Sequence, residues 1–475
     1  MNDPTGSDEC ISESVSDLLF SSGKLFLSTS QLDTDNRARA PPIFQSTSFE
    51  FKDAAHAGNL FALQELGPIY SRIMNPTTHV LEYKVAKLEG AKCPAHGDCD
   101  NAATLPSALA VASGQAAQMH ALLTIMESGD NFVCASELYG GTYTQFAYSF
   151  KQLGIEAKFA DVSNLDQIES LIDSKTKAIY IETLANPSGT IPDFAKIKAI
   201  ATAAKVPVVC DNTFGMGGYC CRPLKLGADI VVESATKWIG GHGTSIGGII
   251  VDGSSFNWLV ENDDGSLKFP LIGGAQPSYH GGVFAKHPIF GVEATNLTFI
   301  LCARVKTLRD MGGCISPFNA FQLIQGIETL SLRAKAHCDN ANELAAWLST
   351  HPKVKEGSVT HPSLASHPSH ENAKKYFRKG CFGSVFCFEI KGSTPEEERA
   401  NGAVFSDNLK LAANLANVGD ARTLIIHPAS TTHQQLSTEE QAAAGVKPAS
   451  IRVSVGYEDI EDLKGDFEAA FGALK

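Results

Sequence analysis

Three apolar runs in the first half of the chain each stop at a polar residue with a chemical use of its own: Asn186 after AIYIETLA, Asp211 after VPVVC and Lys237 after ADIVVESAT. A carboxylate beside a pyridine nitrogen favours the protonated, electron-withdrawing ring, and Asp211 is the residue type for that task. Lys237 stands beside Ser234, Thr236 and Trp238 in a largely apolar stretch, a setting that favours the nucleophilic free amine. Ala112-Ser113-Gly114-Gln115-Ala116-Ala117 opens a helical run. A small-residue turn of that kind presents backbone N–H groups and the positive end of a helix dipole to an anion. A carboxylate, a lysine, small hydroxyl residues and an anion-binding turn are what pyridoxal phosphate requires, with Lys237 carrying the cofactor as an imine. Taken singly, each has a plainer structural reading. Lysine is mostly a solvated surface residue, and most turns like Ser113-Gly114-Gln115 only cap helices.

For these residues to meet, strands must bring them to one edge, because ligands of open α/β sheets bind at the carboxyl ends of strands. From about Leu81 to Phe256, short β-branched runs (Phe132 to Cys134, Ile179 to Ile181, Val206 to Cys210, Ile230 to Val232) alternate with helical stretches. That alternation predicts an α/β fold with a mostly parallel sheet covered on both faces. Residues 1–80 are rich in Ser, Asp, Asn and Pro, broken at Ala40-Pro41-Pro42 and Asn75-Pro76, and lack a sustained period. They read as an arm. A Gly, Pro and aromatic segment, Asp264 to Gly291, reads as a bridge. Helical patterning over Thr298 to Met311 and Phe318 to Leu348 then leads to strand-like Ser384 to Ile390 and Ser450 to Val455, a smaller α+β domain. The expected domains are an arm over 1–80, a cofactor-binding α/β domain over 81–305 and an α+β domain over 306–475.

Length and charge narrow the function classes. A chain of 475 residues exceeds one ordinary core. Its 52 acidic against 39 basic side chains leave a net charge of -13, opposite to the footprint of a nucleic-acid or anionic-membrane partner. The segment MNDPTGSDECISESVSD has neither a basic nor an apolar signal region, and no apolar run is long enough to span a bilayer, so a cytosolic protein is expected. The 12 cysteines form no small-domain framework, and Cys134, Cys210 and Cys387 fall in strand-like runs as buried thiols. Cys93, His96 and Cys99 stand at a spacing that could offer three zinc ligands, but their loop composition favours a surface insertion, and no metal is expected. The vicinal Cys220-Cys221 pair reads as structural. His361, His367 and His370 lie in a Pro- and Ser-rich stretch, Thr360 to His370, expected to be a mobile loop.

In the order ASGQAA, LYGGTYTQF, ETLANPSG, CDNTF, ADIVVESATKWIGGHGTSIGG and IRVSVGYED, the chain resembles the Cys/Met metabolism family of pyridoxal-phosphate enzymes, from about Leu32 to Asp462. The resemblance implies an aspartate-aminotransferase-like fold (fold type I) and a homotetramer built from dimers with shared active sites. It implies that Tyr70 and Arg72 of YSRIMNPT reach a neighbouring subunit's cofactor phosphate, while Ser113, Gly114, Gln115, Ser234 and Thr236 bind that phosphate within the subunit. Tyr139 corresponds to the residue stacked on the ring, Asn186 to the one near the ring hydroxyl, and Asp211, with Thr213 two residues on, to the nitrogen side. Arg452 corresponds to the grip on the substrate carboxylate, with Asn417 and Tyr70 as further substrate contacts. The PSYHG bridge, RVKTLRDMGGCISPFNAFQLIQGIETLSLR and TLIIHPASTTH (Thr423 to His433) look like the O-acetylhomoserine sulfhydrylase branch, which implies O-acetylhomoserine and sulfide as substrates. Other branches of the family, cystathionine γ-synthase and γ-lyase, and a non-catalytic regulatory paralogue are the competing readings. No G-x-G-x-x-G follows the first strand, which argues against a dinucleotide-binding dehydrogenase.

Overall fold

Asn75-Pro76 starts a helix rather than breaking the chain. Asn75 accepts through its side chain from Thr77 N and Thr78 N, Pro76 supplies the first helical φ, and Gly90 at φ 75° closes the C-terminus, giving α1 (Pro76–Glu89). In the expected arm, Asp53 likewise caps a short helix, Ala54–Phe61, so this segment carries local structure that its hydrophobic period does not announce. The computed structural model describes residues 40–91, 105–286, 297–431, 447 and 449–474. Cys93, His96, Cys99, Gly291, His433 and the arm before Ala40 lie outside the described residues. Two compact units divide the chain: one holds residues 1–183, 192–240 and 244–328, the other 184–191, 241–243 and 329–475.

In the first unit, β1 (Ala108–Val111), β2 (Asn131–Ala135), β3 (Glu156–Ala160), β4 (Thr176–Glu182), β5 (Val208–Asp211), β6 (Ile230–Ser234) and β7 (Gly248–Asp252) form one sheet in the order β1-β7-β6-β5-β4-β2-β3. The strands from β2 to β6 run parallel, and β7 alone is antiparallel, to β6 on one side and β1 on the other. Every residue of β1, β2, β4 and β7 is buried, which is why these strands read as continuous apolar runs rather than alternations. The edge strand β3 is mostly half-exposed, with Glu156 and Lys158 in it, and its period is correspondingly faint. Because β7 reverses direction, β1 points the same way as β4, β5 and β6, and their carboxyl ends share one edge. The helix α2 (Gly114–Ile125) leaves β1 at that edge, and α3 (Phe194–Ala203) and α4 (Pro317–Glu328) also belong to this unit.

The second unit has the sheet β8-β11-β10-β9: β8 (Val385–Glu389), β9 (Ala413–Asn414), β10 (Leu424–Ile426) and β11 (Ser450–Ser454). With α5 (Leu330–Thr350), α6 (Pro395–Asn408) and α7 (Ile460–Gly472) it encloses a core of Phe386, Phe388, Phe405, Phe467 and Phe471 with Ile451 and Val453. Burying seven large apolar side chains contributes on the order of 10–20 kcal/mol before conformational entropy is charged. A mostly parallel α/β sheet and a second, smaller sheet are the architecture expected from the sequence. Among the described residues no helix is long and apolar enough to cross a membrane, and the described cysteines are free thiols, all buried but Cys314.

Candidate active site

The common strand edge of the first unit collects most of the residues singled out in the sequence. Ser113 N-caps α2, its hydroxyl accepting from Ala116 N at 3.1 Å. A Cβ on Gly114 would come within 2.8 Å of Ser234 Cβ, so only glycine lets the start of α2 sit against the end of β6. Thr213 links the next two strands: its N–H donates to Asp211 Oδ1 and its hydroxyl accepts from Ser234 N, both at 2.9 Å. Thr236 is tied to Gly247 by N–H to carbonyl at 3.3 Å and by Gly247 N to Thr236 Oγ1 at 3.1 Å. Half-buried Lys237 follows, its N–H donating to Ser234 O at 3.2 Å. Gln115 Nε2 donates to Gly141 O at 3.0 Å, binding α2 to the segment that carries Tyr139. The Tyr139 ring is 50% exposed and lies over Gly141, where a Cβ would meet Tyr139 Cε1 at 2.5 Å.

One residue at this edge escaped sequence analysis. The strand end expected at Asn186 is occupied by Glu182, and the chain leaves the sheet there, four residues short of Asn186. The buried Glu182 carboxylate accepts from Tyr139 N at 2.7 Å and so fixes the segment that presents the tyrosine. Its signal was an acidic side chain closing an apolar strand run. Burial pushes the Asp211 carboxyl above the usual carboxylate range, against the hydrogen bonds from Thr213 that favour the anion.

Tyr70 and Arg72 sit on a turn held by backbone and side-chain hydrogen bonds. Ile73 N donates to Tyr70 O at 2.9 Å. Arg304 donates to Ile73 O at 2.8 Å while its other nitrogen pairs with the buried Glu82 at 2.7 Å. The Arg72 guanidinium lies 5.6 Å from the Tyr70 ring centroid, and both side chains are exposed.

Asn186, Asn417 and Arg452 belong to the second unit. Arg452 alternates along β11 with the core residues Ile451 and Val453, pairs in register with Cys387 and Ile426, and donates to Asn417 O at 3.5 Å. The segment carrying Asn186 is pinned by the stretch expected to be a mobile loop. Ser369 Oγ accepts from Ile191 N and Asn372 Nδ2 donates to Ile191 O, both at 2.9 Å; His367 Nε2 lies 3.1 Å from Ser188 O. His361 there is fully buried, and burial lowers it to about 3. The stretch is packed because its Thr360, His367 and Ser369 side chains, with Asn372 just beyond it, satisfy the backbone of residues 187–191, a pairing across distant segments that composition does not show.

A family model described as Cys/Met metabolism PLP-dependent enzyme matches residues 24–472. The chain belongs to this family. The homocysteine/cysteine synthase of Saccharomyces cerevisiae is 48% identical over 444 residues, 92% of this chain and 94% of that one. The O-acetyl-L-homoserine sulfhydrylase of Leptospira meyeri is 48% identical over 442 residues, 92% and 93% of the two chains. A Campylobacter jejuni crystal structure that holds N'-pyridoxyl-lysine-5'-monophosphate superposes with TM-score 0.82 at 37% identity, covering 95% of this chain and 99% of that one.

The residues present fit the cofactor of a PLP-dependent Cys/Met metabolism enzyme. Gly114 leaves the space in which the first N–H groups of α2 approach Ser234, a donor set suited to a phosphate. The half-buried Asp211 carboxyl, which loss of solvent makes costly as an anion, would be relieved by a cationic ring nitrogen. In the second unit Asn186 Oδ1 is buried and makes no hydrogen bond.

Proposed function

We propose that the chain catalyses γ-replacement on O-acetylhomoserine, sulfide displacing acetate to give homocysteine. The observation that carries this reading is similarity across nine-tenths of the chain to a homocysteine/cysteine synthase and an O-acetyl-L-homoserine sulfhydrylase, each at 48% identity. Ser113, Gly114, Gln115, Ser234 and Thr236 take the cofactor phosphate, Tyr139 stacks on the ring, Asn186 meets its hydroxyl, and Asp211 with Thr213 serves its nitrogen. Bound pyridoxal phosphate supplies the electron sink that stabilises negative charge on the substrate carbons. Arg452 holds the substrate carboxylate with Asn417 beside it, and Tyr70 also meets the substrate. The Lys237 amine removes the α-proton, gives it up and, neutral again, takes a β-proton; the bond from the γ-carbon to acetate then breaks, sulfide forms the new C–S bond there, and protons return to the β- and α-carbons. Tyr70 and Arg72 act at a neighbouring subunit's site in a cytosolic homotetramer, a dimer of dimers.

The deciding assay gives purified protein O-acetylhomoserine with sulfide, with cysteine or with no acceptor, and identifies products by mass. Homocysteine formed only with sulfide supports the reading; cystathionine, or an oxo acid with ammonia, assigns another branch of the family. Borohydride reduction should leave a pyridoxyl mass on the peptide containing Lys237 and none in Lys237→Ala. The double name homocysteine/cysteine synthase of two relatives, 48% and 49% identical, favours a second reading in which O-acetylserine is also accepted and cysteine formed. The same assay with O-acetylserine tests it.

A further inference from the structure

Behind the strand ends that carry Asp211 and Ser234, two carboxyl side chains are buried together. Glu89, the last residue of α1, is 0% exposed, and Glu233, which precedes Ser234 in β6, is 1% exposed. Asn212, directly after Asp211, donates from Nδ2 to both Glu89 oxygens at 2.8 and 3.0 Å and to Cys221 O at 3.0 Å. Its Oδ1 accepts from the Thr183 hydroxyl at 2.6 Å. Glu233 Oε2 accepts from Gly217 N at 3.2 Å, whereas its Oε1 is buried and accepts from no donor. The Glu89 and Glu233 carboxyl groups lie within hydrogen-bonding reach of each other.

Two carboxylates can only accept, so a bond between them requires a proton. Burial raises the Glu89 carboxyl as well, but the Asn212 amide on both its oxygens and the Arg222 guanidinium offset part of that rise, which makes it the more acidic of the two and the one that carries the charge. Glu233 faces the charges of Glu89 and Asp211 and has an oxygen with no donor, which marks it as the acid. Burial first, then those charges, push Glu233 well above the usual carboxylate range.

We propose that Glu233 is a positioning residue that holds a proton against Glu89, so that Glu89 ties the ends of β5 and β6 together from behind and sets the separation between Asp211 and Ser234. Glu89 reaches β5 through Asn212 and β6 through Glu233. The turn at Gly217 and Gly218 closes over the pair, because a Cβ on Gly218 would come within 2.4 Å of Leu88 O. With both acids ionised, two adjacent buried charges would push the strand ends apart. This rests on the reading of Asp211 and Ser234 as cofactor residues.

The test uses the full-length protein and needs no assumption about turnover. An infrared difference spectrum of wild type minus Glu233→Gln, at mildly alkaline pH, should show a carboxylic-acid carbonyl band that shifts in deuterium oxide. Glutamine mimics a neutral acid, so Glu233→Gln should keep pyridoxal-phosphate affinity, and its visible band should persist to higher pH than in wild type. Glu89→Gln, which removes the anion, should weaken pyridoxal-phosphate binding by about tenfold, as loss of a buried charged acceptor does. A difference spectrum with carboxylate bands and no acid band overturns the proposal. So does unchanged affinity in Glu89→Gln, or a tenfold loss confined to Glu233→Gln. Unchanged affinity in Asp211→Asn would remove the underlying cofactor reading while leaving the infrared result intact.

Discussion

An arginine can grip a carboxylate through two parallel hydrogen bonds and a lysine cannot, so Arg452→Lys should separate charge from geometry. We expect kcat/KM for O-acetylhomoserine to fall by about 2–4 kcal/mol of transition-state stabilisation with the visible cofactor band unchanged; normal steady-state kinetics would move the carboxylate grip elsewhere. Asp252 gives a residue-scale prediction for stability. It is 2% exposed, accepts from Ser254 N at 2.8 Å and Ile300 N at 3.3 Å, and burial raises its carboxyl from 3.8 to about 7. The folded chain therefore keeps a proton that the unfolded chain releases, and Asp252 costs stability progressively as pH rises from about 4 to about 7, by a few kcal/mol at most. Asp252→Asn should flatten that decline in denaturant-unfolding midpoints taken across the window; an unchanged slope would remove Asp252 as its source. Asp211, Lys237 and Ser113 were legible in the sequence because each ends or follows an apolar run. Glu182 and the Glu89–Glu233 pair were not legible, since what they do depends on partners that only the sheet brings near.

Among the elements, the contact between the start of α2 and the end of β6 has no slack. Gly114→Ala would place a methyl group 2.8 Å from Ser234 Cβ and 3.0 Å from its Cα. Overpacking of that kind costs typically about 1–3 kcal/mol, and here it falls on the proposed phosphate cradle. Pyridoxal-phosphate titration should show weaker binding than wild type, with a lowered thermal midpoint; equal affinity would mean that the cradle yields without loss. The parallel strands β2, β4, β5 and β6 were readable as apolar runs, and α5 as a helical period. The edge strand β3, half in solvent, and β7, whose run SIGGII gives no hint of its direction, were not. The Thr360 to His370 stretch is the loop that its Pro, Ser and His suggest; what composition does not show is that a distant backbone takes the hydrogen bonds of Ser369 and His367.

For the whole molecule, Tyr70 and Arg72 stand exposed on a turn braced by the buried Arg304–Glu82 pair, as a pair of residues lent to another subunit would. Mixing inactive Arg72→Ala with inactive Lys237→Ala chains should restore part of the activity, since one kind of hybrid site receives both intact residues. No recovery despite demonstrated subunit exchange would make each site self-contained. The reversed strand β7 carries a consequence for synthesis on the ribosome. β1 is made early, yet its only strand partner in the described sheet is β7, the last strand of that sheet to be made, and pairings so far apart in sequence form late. Until Gly248–Asp252 has left the exit tunnel, the nascent chain holds Ser113 and Gly114 just beyond the end of an unpaired strand. Nascent chains stalled before Gly248 should therefore fail to retain pyridoxal phosphate on filtration, and chains stalled once β7 and the helix beyond it have emerged should begin to hold it.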